Sequence, residues 1–285
     1  MIDVQNQKDD RNISIDRVGI KNINYPITLR DKSREIQHTI ASVNLYVDLP
    51  RQFKGTHMSR FVEVLTRHHS EIDIRNISDI LDEIKNKLKA KTAHLELSFP
   101  YFIKKAAPVS GQEALLDYDC RIEAVSNGSS ELKSIITVKV PVTTLCPCSK
   151  EISERGAHNQ RSIVTLKVRV NKFIWLEELI ETVEQSASCE LFPLLKREDE
   201  KFVTEKAYDN PAFVEDVVRA VTQKIQDDLR IDWFSVESEN QESIHNHNAY
   251  AQIERNLRAE RMSDATAQEL KHKKSSETAE LKNLK

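Results

Sequence analysis

Two cysteines and a histidine in one short segment are the residues of this sequence best suited to hold a metal ion. The segment reads PVTTLCPCSKEISERGAHNQRS over residues 141–162, with thiols at Cys146 and Cys148 and an imidazole at His158. Thiolate and imidazole are soft-to-borderline ligands that favour zinc-like divalent metals. A structural zinc site normally has four protein ligands, whereas a catalytic site keeps one position open. Three candidate ligands in this spacing therefore indicate a catalytic metal site.

The cysteine pair has two other interpretations. On an extended backbone residues 146 and 148 face the same side, and Pro147 is tolerated only at a strand end or bulge, so both thiols could simply be buried where a strand stops. They could also form a thiol–disulfide pair, although we expect no helix N-terminus of the kind that activates a CxxC motif. Cys120 and Cys189 lie in apolar or mixed surroundings and are expected to be buried.

Three further segments carry groups suited to binding or proton transfer. Residues 194–211, LLKREDEKFVTEKAYDNP, predict a charged loop that is either solvated or brings a carboxylate to a metal and cations to phosphates. Glu215 lies where a helix dipole favours an acid, but a buried carboxylate there could also clamp an N–H/NH2 edge. His245 and His247 alternate beside Glu242, which suits proton transfer near neutral pH unless both are ordinary exposed histidines.

Composition limits the class of protein. The chain has 285 residues, a net charge of −3, 39% hydrophobic and 31% charged residues. This is typical of a soluble protein of one large domain or two ordinary ones, with no general basic field for nucleic acid. No apolar run is long enough for a membrane span and no secretory signal is visible. We expect a cytoplasmic protein that binds neither nucleic acid nor membrane.

Hydrophobic periodicity predicts an α+β fold. Alternating residues predict strands within 12–30, 36–49, 93–104, 116–126, 131–143, 162–171, 232–238 and 248–254. Helical spacing predicts two helices that begin near Met58 and Ile80, with Thr56 and Ser78 as their N-caps. Two more helices are predicted at about 175–188 and 211–229. The last is expected to have Asn210 as its N-cap and Pro211 at its first helical position. The element order repeats, which predicts two antiparallel sheets with helices packed on one face.

The ends of the chain differ from this domain. Residues 1–11 are expected to be disordered, and 255–285 to be an exposed helix or a loose charged tail. The domain itself spans 12–254, in halves of about 12–126 and 131–254.

The motifs together resemble the type IB GTP cyclohydrolase I family, prokaryotic members of the tunnelling-fold (T-fold) superfamily. The resemblance is carried by PVTTLCPCSKEIS with GAHNQRS, by LKR, DEK, VTE, AY, NP and FVED in that order, and by ESIHNHNAYA. The earlier segments VGIKNINYPI and GTHMSR also match, so roughly residues 12–254 are covered. Glu198 stands where the family usually has proline, and Asn248 where it often has an acid.

The resemblance implies a fold and a reaction. The fold is a tandem T-fold whose subunits assemble into a larger β-barrel-like homotetramer with active sites at the subunit interfaces. The reaction converts GTP and water to 7,8-dihydroneopterin triphosphate and formate, the first step of tetrahydrofolate biosynthesis and in many bacteria a source for queuosine. The implied cofactor is a divalent metal, which could be Zn, Mn or Fe.

The resemblance also implies residue roles. The family's metal ligands fall on Cys146, His158 and Glu200, its guanine anchor on Glu215, and its acid–base group on Glu242, His245 and His247. Cationic candidates for the triphosphate are Lys150, Arg161, Arg197 and Lys201, with His57 and Arg60 from a neighbouring subunit. We expect water activated at the metal to attack C8 of guanine while one histidine protonates N7.

Two functions of other classes remain open. A non-catalytic T-fold protein could bind a purine or pterin through a glutamate at a subunit interface, with a metal that is only structural. A thiol redox protein would instead use Cys146 and Cys148.

Overall fold

A computed structural model describes residues 5, 7–33, 35–68, 76–128 and 132–263 of the chain. Its strands are β1 (Ile15–Arg30), β2 (Ile36–Leu49), β3 (Ala93–Ala106), β4 (Glu113–Ser126), β5 (Lys133–Leu145), β6 (Asn159–Val170), β7 (Cys189–Glu190), β8 (Ile231–Gln241) and β9 (Ala249–Arg255). Its helices are α1 (Met58–Arg67), α2 (Ile77–Leu88), α3 (Pro147–Ile152), α4 (Leu176–Glu184), α5 (Arg197–Asp209) and α6 (Val214–Ile225). None of these helices is long and apolar enough to cross a membrane.

The strands form one antiparallel sheet, not the two sheets that the sequence predicted. The order is β1-β2-β3-β4-β5-β6-β8-β9, with β7 paired to the end of β5. The two halves join where β4 pairs with β5, from Asp119 opposite Lys139 to Val125 opposite Lys133. Two sheets side by side would each present an unpaired edge here, and joining them satisfies the backbone donors and acceptors of both edges. The predicted α+β class is confirmed.

Strand alternation builds the core on one face of this sheet. In β2 every second residue is buried, namely Ala41, Val43, Leu45 and Val47, and the intervening side chains are more exposed. Apolar stripes of α2, α4 and α6 cover this face at β3, β5 and β8, and they join it in a single apolar cluster. Each half therefore packs its own helices on a shared sheet.

Helix starts differ from the predicted caps. Helix α1 is preceded by His57 and α2 by Asn76, not by Thr56 and Ser78. Helix α6 begins at Val214, and Pro211 lies before it. A tertiary contact explains the late start of α6. The N–H of Ala212 donates to the carbonyl oxygen of Leu145 at 3.0 Å, which holds the segment between α5 and α6 extended along β5.

The charged segment predicted as a loop is the helix α5. It buries only Asp199 and Ala207, so it has almost no apolar stripe for periodicity to detect. Its N-terminus is fixed by the carboxylate of Asp199, which accepts the N–H of Lys196 at 2.8 Å. Such a contact satisfies one of the donors left over at a helix start.

Hydrogen bonds hold both described ends against the domain. The carbonyl oxygens of Gln5 and Gln7 accept the N–H groups of Gly55 and Lys54, contacts that the expectation of disorder did not include. Residues 257–263 are helical, with Leu257 buried in the core and Arg261 bonded to backbone carbonyls. Residues 1–4, 6 and 264–285 lie outside the described part of the chain.

Candidate active site

Cys146 and His158 are neighbours across two strands. The ladder between β5 and β6 ends with Leu145 opposite Asn159, and the N–H of Cys146 donates to the carbonyl oxygen of His158 at 3.1 Å. Directly opposed residues of antiparallel strands have Cβ atoms about 5 Å apart. The thiol and the imidazole predicted to share a metal are therefore brought side by side.

Ser149 forms hydrogen bonds with both Cys146 and His158. Cys146 is the N-cap of α3, and the N–H of Ser149 points at its Sγ at 3.4 Å. The hydroxyl of Ser149 donates to the carbonyl oxygen of Cys146 at 3.1 Å and accepts the N–H of His158 at 3.2 Å. One side chain thus connects both candidate ligands through their backbones.

The start of α3 corrects two expectations about the cysteines. Pro147 occupies the first helical position, where its missing N–H costs nothing, so the strand ends before it. Cys148 lies in the helix and is exposed, and it does not continue an extended segment with Cys146. The expected absence of a helix N-terminus at this thiol pair was wrong.

The other two cysteines lie on strands β4 and β7. Cys120 and Cys189 are buried, as the sequence predicted, and none of the four cysteines forms a disulfide. Burial raises the pKa of Cys189 to about 12, so this thiol stays protonated at neutral pH.

His158 presents one ring nitrogen to its own protein and leaves the other available. Its Nδ1 lies 3.1 Å from Oε1 of Gln160 and 3.3 Å from Oγ of Ser243. Metal-binding histidines generally commit one nitrogen to such a partner and coordinate through the other. The donor chemistry of Cys146 and His158 therefore fits a zinc-like divalent metal.

Glu200 is not part of a formed metal cluster. No three His, Cys, Asp or Glu side chains among the described residues are grouped so that they could hold a metal. Glu200 is exposed in the first turn of α5, next to the buried Asp199. Because successive residues of a helix point about 100° apart, anchoring Asp199 inward turns Glu200 outward. The convergence of three ligands stays a prediction.

The N-terminus of α6 lies beside the end of β5. The bond from Ala212 to Leu145 places Glu215, three residues later, at the same end of the sheet as Cys146. Glu215 is exposed, whereas the clamp hypothesis required a buried carboxylate. In the single chain this acid is open to solvent at a helix start, where the dipole favours its charge.

The two predicted proton-transfer histidines stack on each other. The ring centroids of His245 and His247 are 5.0 Å apart with an interplanar angle of 19°, so the expected shared face is confirmed. Both are exposed in the connection between β8 and β9, and Glu242 at its start is partly buried. Ser243 in the same connection touches His158, which links this segment to the candidate metal ligand.

A family model described as type I GTP cyclohydrolase FolE2 matches residues 1–251. This chain belongs to the FolE2 family. It is 56% identical over 254 residues to GTP cyclohydrolase FolE2 of Syntrophotalea carbinolica, covering 89% of this chain and 95% of that one. It is 57% identical over 255 residues to the enzyme of that name from Syntrophus aciditrophicus, covering 90% and 100%.

A solved structure supports the same fold. The urate oxidase of Bacillus subtilis 168 superposes with a TM-score of 0.50 at 8% identity, covering 86% of this chain and 98% of that one. At this identity the likeness concerns the fold alone. The FolE2 chain and this urate oxidase thus share an arrangement of antiparallel sheet and helices.

The predicted phosphate-binding cations of this FolE2 chain are scattered. Nζ of Lys150 bonds to the carbonyl oxygen of Tyr208 at 2.5 Å and lies 4.4 Å from its ring centroid, so it is already engaged. Lys201 lies 3.8 Å from Glu205 across one helical turn, and the exposed Arg197 begins α5. Arg161 follows Gln160 on β6, and strand alternation directs it to the opposite side of the sheet.

His57 and Arg60 lie in the first half of the chain. His57 precedes α1, and Nη1 of Arg60 donates to the carbonyl oxygen of Lys87 at 3.0 Å, near the end of α2. Helices α1 and α2 pack mainly on each other and on β1 to β4, whereas Cys146 and His158 lie just beyond the ends of β5 and β6.

Sequence reasoning missed the polar residues that hold this FolE2 site. Ser149, Gln160 and Ser243 were not singled out, although each contacts Cys146 or His158. A signal was present, because Gln160 and Ser162 take inward positions of β6 that are apolar further along the strand, and His158 precedes them at the same spacing. Polar residues at inward positions of a strand require partners and so mark a special environment.

Proposed function

We propose that this chain is a metal-dependent GTP cyclohydrolase that converts GTP and water to 7,8-dihydroneopterin triphosphate and formate. Membership of the FolE2 family supports the activity. The observation that carries the site is the pairing of Cys146 with His158, which places a thiol and an imidazole side by side at a strand end. The product serves tetrahydrofolate biosynthesis and, in the proposal, also queuosine biosynthesis.

Cys146, His158 and Glu200 are the proposed metal ligands, with Zn, Mn or Fe as the ion. When bound, the metal supplies an activated water for hydrolysis at C8 of guanine. The chain holds His158 with Nδ1 toward Gln160 and Ser243, which keeps Nε2 available as a ligand. Glu200 completes the set from the start of α5.

Glu215 binds the guanine edge in this proposal. A carboxylate accepts two parallel hydrogen bonds, which match N1–H and the 2-amino group of guanine. Its position at the start of α6, beside the end of β5 and so near Cys146, supports this role. Hypoxanthine nucleotides lack the 2-amino group, and a half-paired carboxylate in a closed site is costly, so discrimination is expected.

His245 and His247 transfer protons in the proposed reaction. Their stacked rings present adjacent nitrogens, one of which protonates N7 of guanine and makes C8 more electrophilic. Glu242, partly buried at the start of the same segment, orients the pair. The contact from Ser243 to His158 keeps this acid–base group beside the candidate metal ligand.

Cations bind the triphosphate. Arg197 and Lys201 are proposed from one subunit, with His57 and Arg60 from its neighbour. Arg161 contributes only if the assembly brings the phosphates to the side of the sheet opposite Gln160. Lys150 contributes only if it leaves its contact with Tyr208.

A homotetramer with interfacial sites completes the proposal. Strands β1 and β9 end the path of the sheet, so each has one side without a neighbouring named strand, and such edges favour pairing with other chains. Glu200, Glu215, His245 and His247 are exposed in one chain, as expected for groups that a neighbouring subunit covers. Closed assembly through such edges gives a barrel-like oligomer in the cytoplasm.

One assay tests the activity. The protein is incubated with GTP and Mn²⁺ or Zn²⁺, and formate release and neopterin fluorescence after oxidation are measured. Formation of both products is expected, and the double variant His245→Ala with His247→Ala should bind GTP without releasing formate. GTP binding with no formate from the wild-type protein would favour the non-catalytic purine or pterin binder.

A further inference from the structure

A chain of four buried polar side chains runs away from His158 across three strands. Gln160, Thr144, Ser162 and Asn240 are 8%, 0%, 0% and 2% exposed. The strand register sets Thr144 opposite Gln160 and Ser162 opposite Asn240, so their side chains meet on the inner face. Buried polar groups are costly unless they are hydrogen-bonded, and these four satisfy one another.

Each hydrogen bond in this polar chain is donated in the direction from Gln160 toward Asn240. Ser162 Oγ donates to Oδ1 of Asn240 at 2.5 Å, and Thr144 Oγ1 lies 2.7 Å from Ser162 Oγ. Since a hydroxyl has a single proton, Ser162 must accept from Thr144. Thr144 in turn accepts from Nε2 of Gln160 at 3.0 Å. The amide of Gln160 is thereby oriented with its oxygen toward His158.

This orientation determines which nitrogen of His158 carries a proton. Oε1 of Gln160 lies 3.1 Å from Nδ1 of His158, and a carbonyl oxygen can only accept. Nδ1 must therefore donate, and a neutral imidazole then keeps its lone pair on Nε2. Ser243 Oγ, 3.3 Å from the same Nδ1, is a second possible acceptor.

We propose that Gln160 is a positioning residue that holds His158 in the Nδ1–H tautomer, with Nε2 as the metal donor. Thr144, Ser162 and Asn240 fix the amide of Gln160 and so act one step further away. This inference rests on the proposed metal-dependent function. Asn240 also lies two residues before Glu242, so the same hydrogen bonds fix the start of the acid–base segment relative to the metal ligand.

Metal affinity in three variants tests the inference without any turnover. Gln160→Leu loses the acceptor for Nδ1–H, and loss of such a partner typically weakens metal binding about 10–100-fold. Gln160→Glu keeps an acceptor oxygen for Nδ1–H but gives up the N–H donated to Thr144, so its metal affinity should fall clearly less than that of Gln160→Leu. Gln252→Leu is the matched control, because Gln252 makes a comparable 3.0 Å contact with Ser235 away from the site.

The affinities are measured by competition for Co²⁺ and Zn²⁺ against a chromogenic chelator. The absorption of Co²⁺ bound to thiolate reports whether Cys146 still coordinates, and thermal unfolding reports whether each variant is folded. Wild-type affinity in Gln160→Leu would overturn the inference and leave the proposed function intact. Equal losses in the Leu and Glu variants would assign Gln160 a packing role, which also overturns it. A wild-type protein that binds neither ion would remove the metal from the proposed function and the inference with it.

Discussion

Oδ2 of Asp199 lies 2.6 Å from the hydroxyl of Ser110, which is 89 residues earlier in the chain. The same carboxylate accepts the N–H groups of Val109 and Ser110 at 2.8 Å each, and that of Lys196. The turn between β3 and β4 in the first half is thus tied to the start of α5 in the second. Because Glu200 is the next residue, these contacts of Asp199 also determine the position of Glu200.

Asp199 should make stability depend on pH in the acid range. Burial alone would raise the pKa of Asp199, but hydrogen bonds from the Ser110 hydroxyl and from backbone N–H groups hold it well below its usual value. Because the folded pKa is the lower one, the stabilisation is present above the unfolded value of about 3.9 and is lost as pH falls below it. Asp199→Asn should therefore unfold several degrees lower at pH 7 and lose part of the acid dependence, measured by thermal unfolding from pH 2 to pH 7.

Glu198→Gln is the matched control for this prediction. Glu198 lies in the same helical turn and is exposed, so its removal should leave the pH profile nearly unchanged. An Asp199→Asn profile that overlays the wild type would show that the contacts at Ser110 contribute little.

Cys146 and Cys148 should differ sharply when replaced by alanine. Cys146→Ala removes the thiol next to His158 and should abolish turnover and most metal binding, whereas Cys148→Ala should leave both within a few-fold of the wild type. Metal content by mass spectrometry and formate release are the measurements. If both replacements abolished activity while bound metal stayed constant, the thiol redox function would gain support over the metal site.

Glu215→Gln should weaken GTP binding much more than it changes metal content. Hydrogen bonds to a charged group contribute about 1.5–3 kcal/mol, which corresponds to roughly 10–150-fold in Kd. Equilibrium dialysis of GTP with the folded variant measures this. Loss of metal with unchanged GTP affinity would mean that Glu215 is the metal ligand and Glu200 the guanine contact.

Asp216→Asn separates this effect from helix stability. The carboxylate of Asp216 accepts the N–H of Phe213 at 3.1 Å and so caps α6, but it takes no part in the proposed guanine contact. Its replacement should lower the unfolding temperature by the ordinary cost of a weakened cap and leave the GTP affinity within a few-fold.

Glu184 should be a strong point of contact between the halves. This α4 residue accepts the hydroxyl of Tyr118 and the ammonium of Lys105, both at 2.6 Å, with side chains of Lys105 and Glu184 only 12% and 13% exposed. Glu184→Ala leaves a mostly buried cation unpaired and should cost about 3 kcal/mol. Tyr118→Phe removes one hydrogen bond and should cost about 1 kcal/mol.

Chemical denaturation of both variants measures the difference. If the Glu184→Ala and Tyr118→Phe proteins were equally stable, solvent would screen the ion pair between Glu184 and Lys105. Two separate unfolding transitions in Glu184→Ala would instead show that this contact couples the two halves.

Local residue patterns were enough to predict the α+β class, most strands and a chemistry for the candidate site. Strand alternation is a local property, so β2, with its inward Ala41, Val43, Leu45 and Val47, is visible without a structure. Residue types likewise suggest metal and proton chemistry at Cys146, His158 and the His245–His247 pair. The family resemblance, carried by long motifs in order, is also a property of the sequence alone.

Elements that depend on distant partners for their stability could not be predicted from local patterns. Helix α5 has no apolar stripe and is fixed by Asp199 against Ser110, so local periodicity could not distinguish it from a charged loop. The late start of α6 follows from the bond between Ala212 and Leu145. The direction of the hydrogen bonds from Asn240 to His158 exists only once β5, β6 and β8 are aligned, because each donor is assigned by its neighbour on another strand.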